Sequence, residues 1–225
     1  MKTVVITGAS RGIGLATAKK FLENRWRVIG THSKNPIPIQ DGNFTGVELE
    51  ITSRESITKA VGEISKLAPQ IDVLINCAGV SMDAFETAPN MENIRHTFEV
   101  NVFGLIDFTE QLIPNVISGG HIVNLSSRYG AFSFLIDGPD STAYRMSKAS
   151  VNMYTRMLAY RLMDRNITVS CIHPGWVKTD MGNSAATETE KPDREPEEAA
   201  NDIYTLATSK VESGFFWQFG KKREW

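Results

Sequence analysis

The stretch TGASRGIG, residues 7–14, sets three glycines and an arginine between an apolar run, KTVVI at 2–6, and a segment of good helix formers, LATAKKFLEN at 15–24. Leu15, Ala18, Phe21 and Leu22 recur at helical spacing, so the order reads strand, tight turn, helix. A helix that opens on glycine offers bare backbone N–H groups and the positive end of its dipole to an anion. Glycine also lets the ligand come close, because no Cβ stands in the way. The turn is therefore expected to hold a phosphate, with Gly8, Ser10, Arg11, Gly12, Ile13 and Gly14 around it.

Outward from this turn, apolar β-branched runs alternate with helical segments. Strands are expected at VVIT, at 27–32, 46–51, 71–76, 121–126, 167–172 and 214–219. Helices are expected at 12–24, 53–68, 91–116, 142–165 and 196–209. Nearly continuous hydrophobic strands separated by helices predict an α/β fold: a seven-stranded parallel sheet, doubly wound, with helices on both faces. No break in composition marks a second domain, so residues 1–225 read as one. The polar stretch NSAATETEKPDREP, residues 183–196, reads as a surface loop or mobile flap.

Composition narrows the function. A net charge of −2 gives no basic field for nucleic acid or an anionic membrane. No apolar run is long enough to span a bilayer, and a first strand starting at Lys2 leaves no room for a signal peptide. Cys77 and Cys171 lie far apart in apolar contexts and read as reduced, buried thiols, consistent with a cytoplasmic location. The histidines lack metal-ligand spacing, and neither a G-x-S-x-G elbow nor a phosphate loop ending in G-K-[ST] is present.

In such a sheet, ligands bind beyond the carboxyl ends of the strands. Those ends carry Gly8–Gly14, His32 to Lys34, Glu50 and Ile51, NCAG at 76–79, SSRYG at 126–130 and HPGWVKTDMG at 173–182. Any one of them could be an ordinary turn; their recurrence at every strand end points to a site. AYRMSKAS places Tyr144 and Lys148 four apart, on one helix face. Alone, such a pair is usually a solvated helix face. Here it follows NLSS, which puts the Ser127 hydroxyl at the edge of the sheet.

These residues resemble the short-chain dehydrogenase/reductase family, in its short single-domain branch. TGASRGIG matches T-G-x-x-x-G-x-G, NCAG matches N-N-A-G except at Cys77, VN at 100–101 matches the active-site asparagine, and Ser127, Tyr144 and Lys148 match S-x-x-G and Y-x-x-x-K. HPGWVKTD matches the segment lining the nicotinamide, and the ending SGFFWQFGKKREW resembles the C-factor or carbonyl-reductase-like subgroup. The resemblance implies a Rossmann-type domain and an oxidoreductase moving a hydride between a nicotinamide and a carbonyl or secondary alcohol. It implies Tyr144 as general acid/base, Lys148 lowering its pKa and bonding the ribose, Ser127 holding the carbonyl oxygen, and Asn101 anchoring a water. Asn76, Ala78, Gly79, Pro174, Gly175, Val177 and Thr179 would lie along the cofactor. It also implies a homodimer or homotetramer built on the helices at 142–165 and 104–116.

Two features refine this. No acid follows the second strand, where His32, Ser33 and Lys34 stand instead, and Arg11 faces the same ribose; NADP(H) is therefore expected over NAD(H). The segment between Ser127 and Tyr144 is long, and its Phe132, Phe134 and Leu135 would either wall a substrate or pack the loop. A cofactor-binding regulatory or signalling protein with little catalysis is the alternative. Asn101, Ser127, Tyr144 and Lys148 together argue against it.

Overall fold

Strand β1 (Thr3–Ile6) is buried along its whole length, as a strand covered on both faces must be. In the computed structural model, which describes residues 1–136 and 138–225, it pairs in parallel with β2 (Arg27–His32) on one side and β4 (Ile71–Asn76) on the other. Beyond β2 lies β3 (Phe44–Glu48); beyond β4 lie β5 (Val116–Leu125), β6 (Thr168–Ile172) and β7 (Phe215–Gln218). The chain reverses direction of travel across the sheet between β1 and β4, which opens a crevice at their carboxyl ends.

The sheet has eight strands, not the seven expected, and the last is not parallel. β8 (Lys221–Arg223) folds back antiparallel on β7. Phe219 and Gly220 make the connection, with φ of 51° and 72°. That pair of left-handed residues is what a two-residue hairpin needs to follow the strand twist. The strand itself is all cationic and has no apolar alternation that would announce it.

Helices α1 (Gly12–Glu23) and α7 (Pro196–Thr208) cover one face, closing a core that holds Val4, Ile6, Phe21 and Ile203. Helices α2 (Arg54–Leu67), α4 (Leu105–Leu112) and α5 (Thr142–Arg161) cover the other, around Val5, Ile64, Phe108 and Leu158. The helix expected at 91–116 is broken: α3 (Met91–Phe98) reaches α4 through a π-helical turn, Glu99–Gly104. Backbone runs tight there, since a Cβ on Gly104 would sit 2.2 Å from the Ile51 carbonyl oxygen. The strand expected at 121–126 starts earlier, at Val116, and the one expected at 46–51 is displaced toward Phe44.

The polar stretch at 183–196 is not all loop. Helix α6 (Asp180–Ser184) opens it, and Arg194 pins its far end: the Lys178 N–H donates to the Arg194 carbonyl at 2.8 Å, and the Arg194 guanidinium meets Asp202 at 2.8 Å. Among the described residues, no helix is long and apolar enough to cross a membrane.

Candidate active site

The glycine turn ends β1 and begins α1 with Gly8 and Gly12 both at positive φ, 68° and 54°. A Cβ on Gly8 would come within 2.9 Å of the Ala78 backbone, so the end of β1 touches the end of β4 directly. The Thr7 hydroxyl fixes that contact by accepting the N–H groups of Cys77 (2.9 Å) and Ala78 (3.0 Å). Arg11 precedes the first turn of α1 without a side-chain cap, leaving the helix's first amides available to an anion. The resulting cleft encloses about 850 Å³. Gly8, Ser10, Arg11, Gly12, Ile13 and Gly14 line one end, with His32, Ser33, Lys34, Glu50 and Ile51 beside them. Ala78, Gly79, Tyr144, Lys148, Pro174 and Thr179 line the other; Leu49, Val100, Leu125 and Met181, to which no cofactor role was assigned from sequence, line the cleft as well. Cβ-free backbone at a helix start, a long cleft and a lysine–tyrosine pair at its far end suit a dinucleotide.

At that end Tyr144 is half-buried and its hydroxyl is pushed up to about 12, chiefly by burial; a hydrogen bond with Ser127 pulls the other way. Ser127 also caps the short turn after β5, accepting the Tyr129 N–H at 3.2 Å. Lys148 is 5% exposed. Its Nζ donates to the Leu125 carbonyl at 2.9 Å and lies 5.5 Å from the centre of the Tyr144 ring. Burial lowers its pKa to about 8. Burial rather than Lys148 therefore sets the direction of the Tyr144 shift in this arrangement, where the ammonium is turned to a carbonyl.

Asn101 sits in the π turn, fully buried. Its amide brackets Val80, accepting that N–H at 2.8 Å and donating to the carbonyl at 2.9 Å, and it donates to Ser147 Oγ at 3.1 Å. It thus joins the loop after β4 to α5, one residue before Lys148. A π turn at a functional site is a recurrent device for aiming one side chain inward. Asn76 does not face the cleft. It is 2% exposed and donates to Thr109 Oγ1 and Asn124 Oδ1, both at 2.8 Å, inside the sheet–helix layer. Val177 is buried, Gly175 packs against Arg194, and neither lines the cleft. Thr179 uses its hydroxyl to cap α6, accepting the Gly182 N–H at 3.0 Å. Phe134 packs on Ala131, Cys171 and Phe216, whereas Phe132 and Leu135 are 93% and 85% exposed. Burial raises both cysteine thiols, Cys77 to about 12, so neither is a ready nucleophile. Among the described residues, no cluster of His, Cys, Asp and Glu could hold a metal.

One residue of the site carried no motif. The α5 N-cap, Ser141, is left-handed (φ 60°) and makes no side-chain cap. Asp83 does the capping from 60 positions away. It is 3% exposed, and its carboxylate accepts the N–H of Ala143 at 2.6 Å and of Tyr144 at 3.4 Å, while its carbonyl accepts the Ser141 N–H. An anion at a helix start satisfies free amides and complements the dipole. Asp83→Ala should cost about 1–2 kcal/mol in stability. Asp83→Asn, which keeps an acceptor, should cost less. Equal unfolding midpoints for wild type and Asp83→Ala in urea would contradict the capping role.

The sequence matches the short chain dehydrogenase family over residues 2–190. It is 33% identical over 190 residues to the 3-oxoacyl-[acyl-carrier-protein] reductase FabG of Thermotoga maritima, covering 80% of this chain and 76% of that protein. It is 32% identical over 192 residues to the NAD-dependent glycerol dehydrogenase of Listeria innocua, covering 82% and 74%. The NADPH-bound carbonyl reductase from chicken fatty liver superimposes with a TM-score of 0.88 at 26% identity, over 100% of this chain and 94% of that one. Glycine turn, parallel sheet and motif order all agree with the match, and the chain belongs to the short chain dehydrogenase family of oxidoreductases.

Proposed function

We propose that the protein is an NADP(H)-dependent oxidoreductase acting on a carbonyl or secondary alcohol, with Tyr144 as general acid/base. The observation that carries this reading is the placement of Tyr144 and Lys148 at one end of a cleft whose other end is the glycine turn. Bound nicotinamide supplies or accepts the hydride. The residues of this chain handle the rest. Tyr144 gives its proton to the oxygen that becomes the alcohol. Ser127, which acts on the Tyr144 hydroxyl, donates to the same oxygen as negative charge develops. Lys148, whose Nζ here donates to the Leu125 carbonyl, would hold the ribose of a bound cofactor, and Asn101 holds the loop after β4.

The choice of NADP(H) rests on the end of β2. His32, Ser33 and Lys34 line the cleft where an acid would repel a ribose phosphate. Arg11 stands at the same mouth, 73% exposed, and forms an ion pair with Asp180 across it. A pair so exposed is worth little, about 0–1 kcal/mol, so a phosphate can displace it. The chicken enzyme is NADPH-bound and the Listeria enzyme NAD-dependent, so the choice varies among similar chains. Arg11→Ala should lower kcat/KM with NADPH by roughly 10–100-fold and leave NADH nearly unchanged. Steady-state rates with both cofactors test this; a wild type that prefers NADH, or a preference unmoved by the change, would sink it.

A homodimer or homotetramer is part of the same proposal. Helix α5 presents Met146, Met153, Met157 and Tyr160 to solvent at 47–76% exposure, a stripe of apolar surface that a second copy would cover.

A further inference from the structure

Directly after Ser127 the chain places Arg128, which is exposed. Its guanidinium lies 4.7 Å from the ring centre of Phe134 and 5.9 Å from that of Tyr129. Tyr129 in turn meets the ring of Tyr144 edge-on, with centres 6.5 Å apart. One aromatic layer therefore runs from the proton donor to a cation. The neighbouring guanidiniums already have carboxylate partners: Arg145, which also lies 3.9 Å over the Tyr129 ring, meets Asp140 at 3.5 Å, and Arg194 meets Asp202 at 2.8 Å. Arg128 has no carboxylate partner among the described residues, and neither does Arg223 of β8.

The hairpin brings Arg223 toward the same place. Its tail crosses to the loop that holds Phe134, where the Ser133 N–H donates to the Trp225 carbonyl at 3.0 Å and the Ser133 hydroxyl to the Glu224 carbonyl at 3.1 Å. The fields of Arg128, Arg194 and Arg223 all bear on His173, at the end of β6. That imidazole is 8% exposed, and its Nδ1 is buried with no hydrogen-bond partner. Burial first, then the three cations, holds it neutral, with a pKa of about 3. So the region carries two guanidiniums with no carboxylate partner among the described residues, a buried polar atom with nothing to bond, and a run of aromatic rings.

We propose that the substrate is an oxo acid, a carbonyl compound with a carboxylate at its other end, and that Arg128, supported by Arg223, binds the carboxylate. This rests on the oxidoreductase reading above. A planar guanidinium pairs with a carboxylate through two parallel hydrogen bonds, and the Tyr129 ring links Arg128 to Tyr144, its centre 5.9 Å from the guanidinium of the one and 6.5 Å from the ring centre of the other. In reduction the carbonyl carbon gains the hydride from NADPH and its oxygen the Tyr144 proton, leaving a hydroxy acid and NADP⁺.

The test is a matched pair, 4-formylbenzoate and its methyl ester, reduced with NADPH and followed by loss of NADPH absorbance. The acid should be favoured in kcat/KM by about tenfold or more, and that preference should shrink with added salt. Arg128→Gln should cut the acid-over-ester ratio by about tenfold, mainly through KM for the acid, and Arg223→Gln should cut it less. Equal use of the two, preference for the ester, or a ratio unmoved by Arg128→Gln and Arg223→Gln overturns the carboxylate site. Turnover of the ester alone does so while leaving the oxidoreductase reading intact. No turnover of either, with NADPH or NADH, removes both.

Discussion

Tyr144→Phe should lower kcat by roughly 10²–10⁴-fold, the usual worth of a general acid, while NADPH affinity stays close to that of the wild type. The hydroxyl takes part only when the proton moves, so its removal spares ground-state binding. Packing should also survive. The ring keeps its edge contact with Tyr129, and the hydroxyl's partner Ser127 retains the Tyr129 N–H. Single-turnover rates, together with cofactor Kd from fluorescence titration, separate the two effects. A wild-type single-turnover rate in Tyr144→Phe would remove the residue from the proton step.

Lys148→Met is expected to damage both quantities. The methionine fills much of the same volume in a site only 5% exposed, so the fold should hold. What disappears is the donor now given to the Leu125 carbonyl and, in the proposed function, to the ribose. Cofactor Kd should rise by about tenfold or more, and kcat should fall by a larger factor. Lys148→Arg should not restore activity: a guanidinium is a wide planar fork, and the lysine amine occupies a space bounded by Leu125, Gly79 and the Tyr144 ring. Unchanged Kd in Lys148→Met would take the ribose contact out of the mechanism.

Where the chain makes its structure from neighbours in sequence, the structure was readable. The apolar run before residue 7, the glycines and the helical periodicity after them are local, and they produce β1, the turn and α1 as expected. Tyr144 and Lys148 share a helix face because four residues is one turn. The misses have a common cause in long-range contacts. The π turn at Glu99–Gly104 differs from a helix by one residue of register, and it packs against the backbone of residue 51, a contact that no neighbour in sequence announces. Asp83 looked like one of 26 acidic residues, because the helix N–H it caps, that of Ala143, lies 60 positions later. Asn76 belongs to a family motif, yet its side chain serves the interior through Asn124 and Thr109. A motif marks a position; which way the side chain turns is settled by the strand's pleat and its neighbours.

The short cationic strand β8 also decides how copies of this molecule cannot meet. An unpaired strand edge offers a row of free N–H and C=O groups, an invitation to build one continuous sheet from two molecules. Here that edge is three residues long, and Lys221, Lys222 and Arg223 are all exposed. Two such edges laid side by side would set cation against cation at adjacent positions, which is destabilising for cross-strand pairs. The fold therefore ends its own sheet at this border, in an edge that repels a second copy of itself.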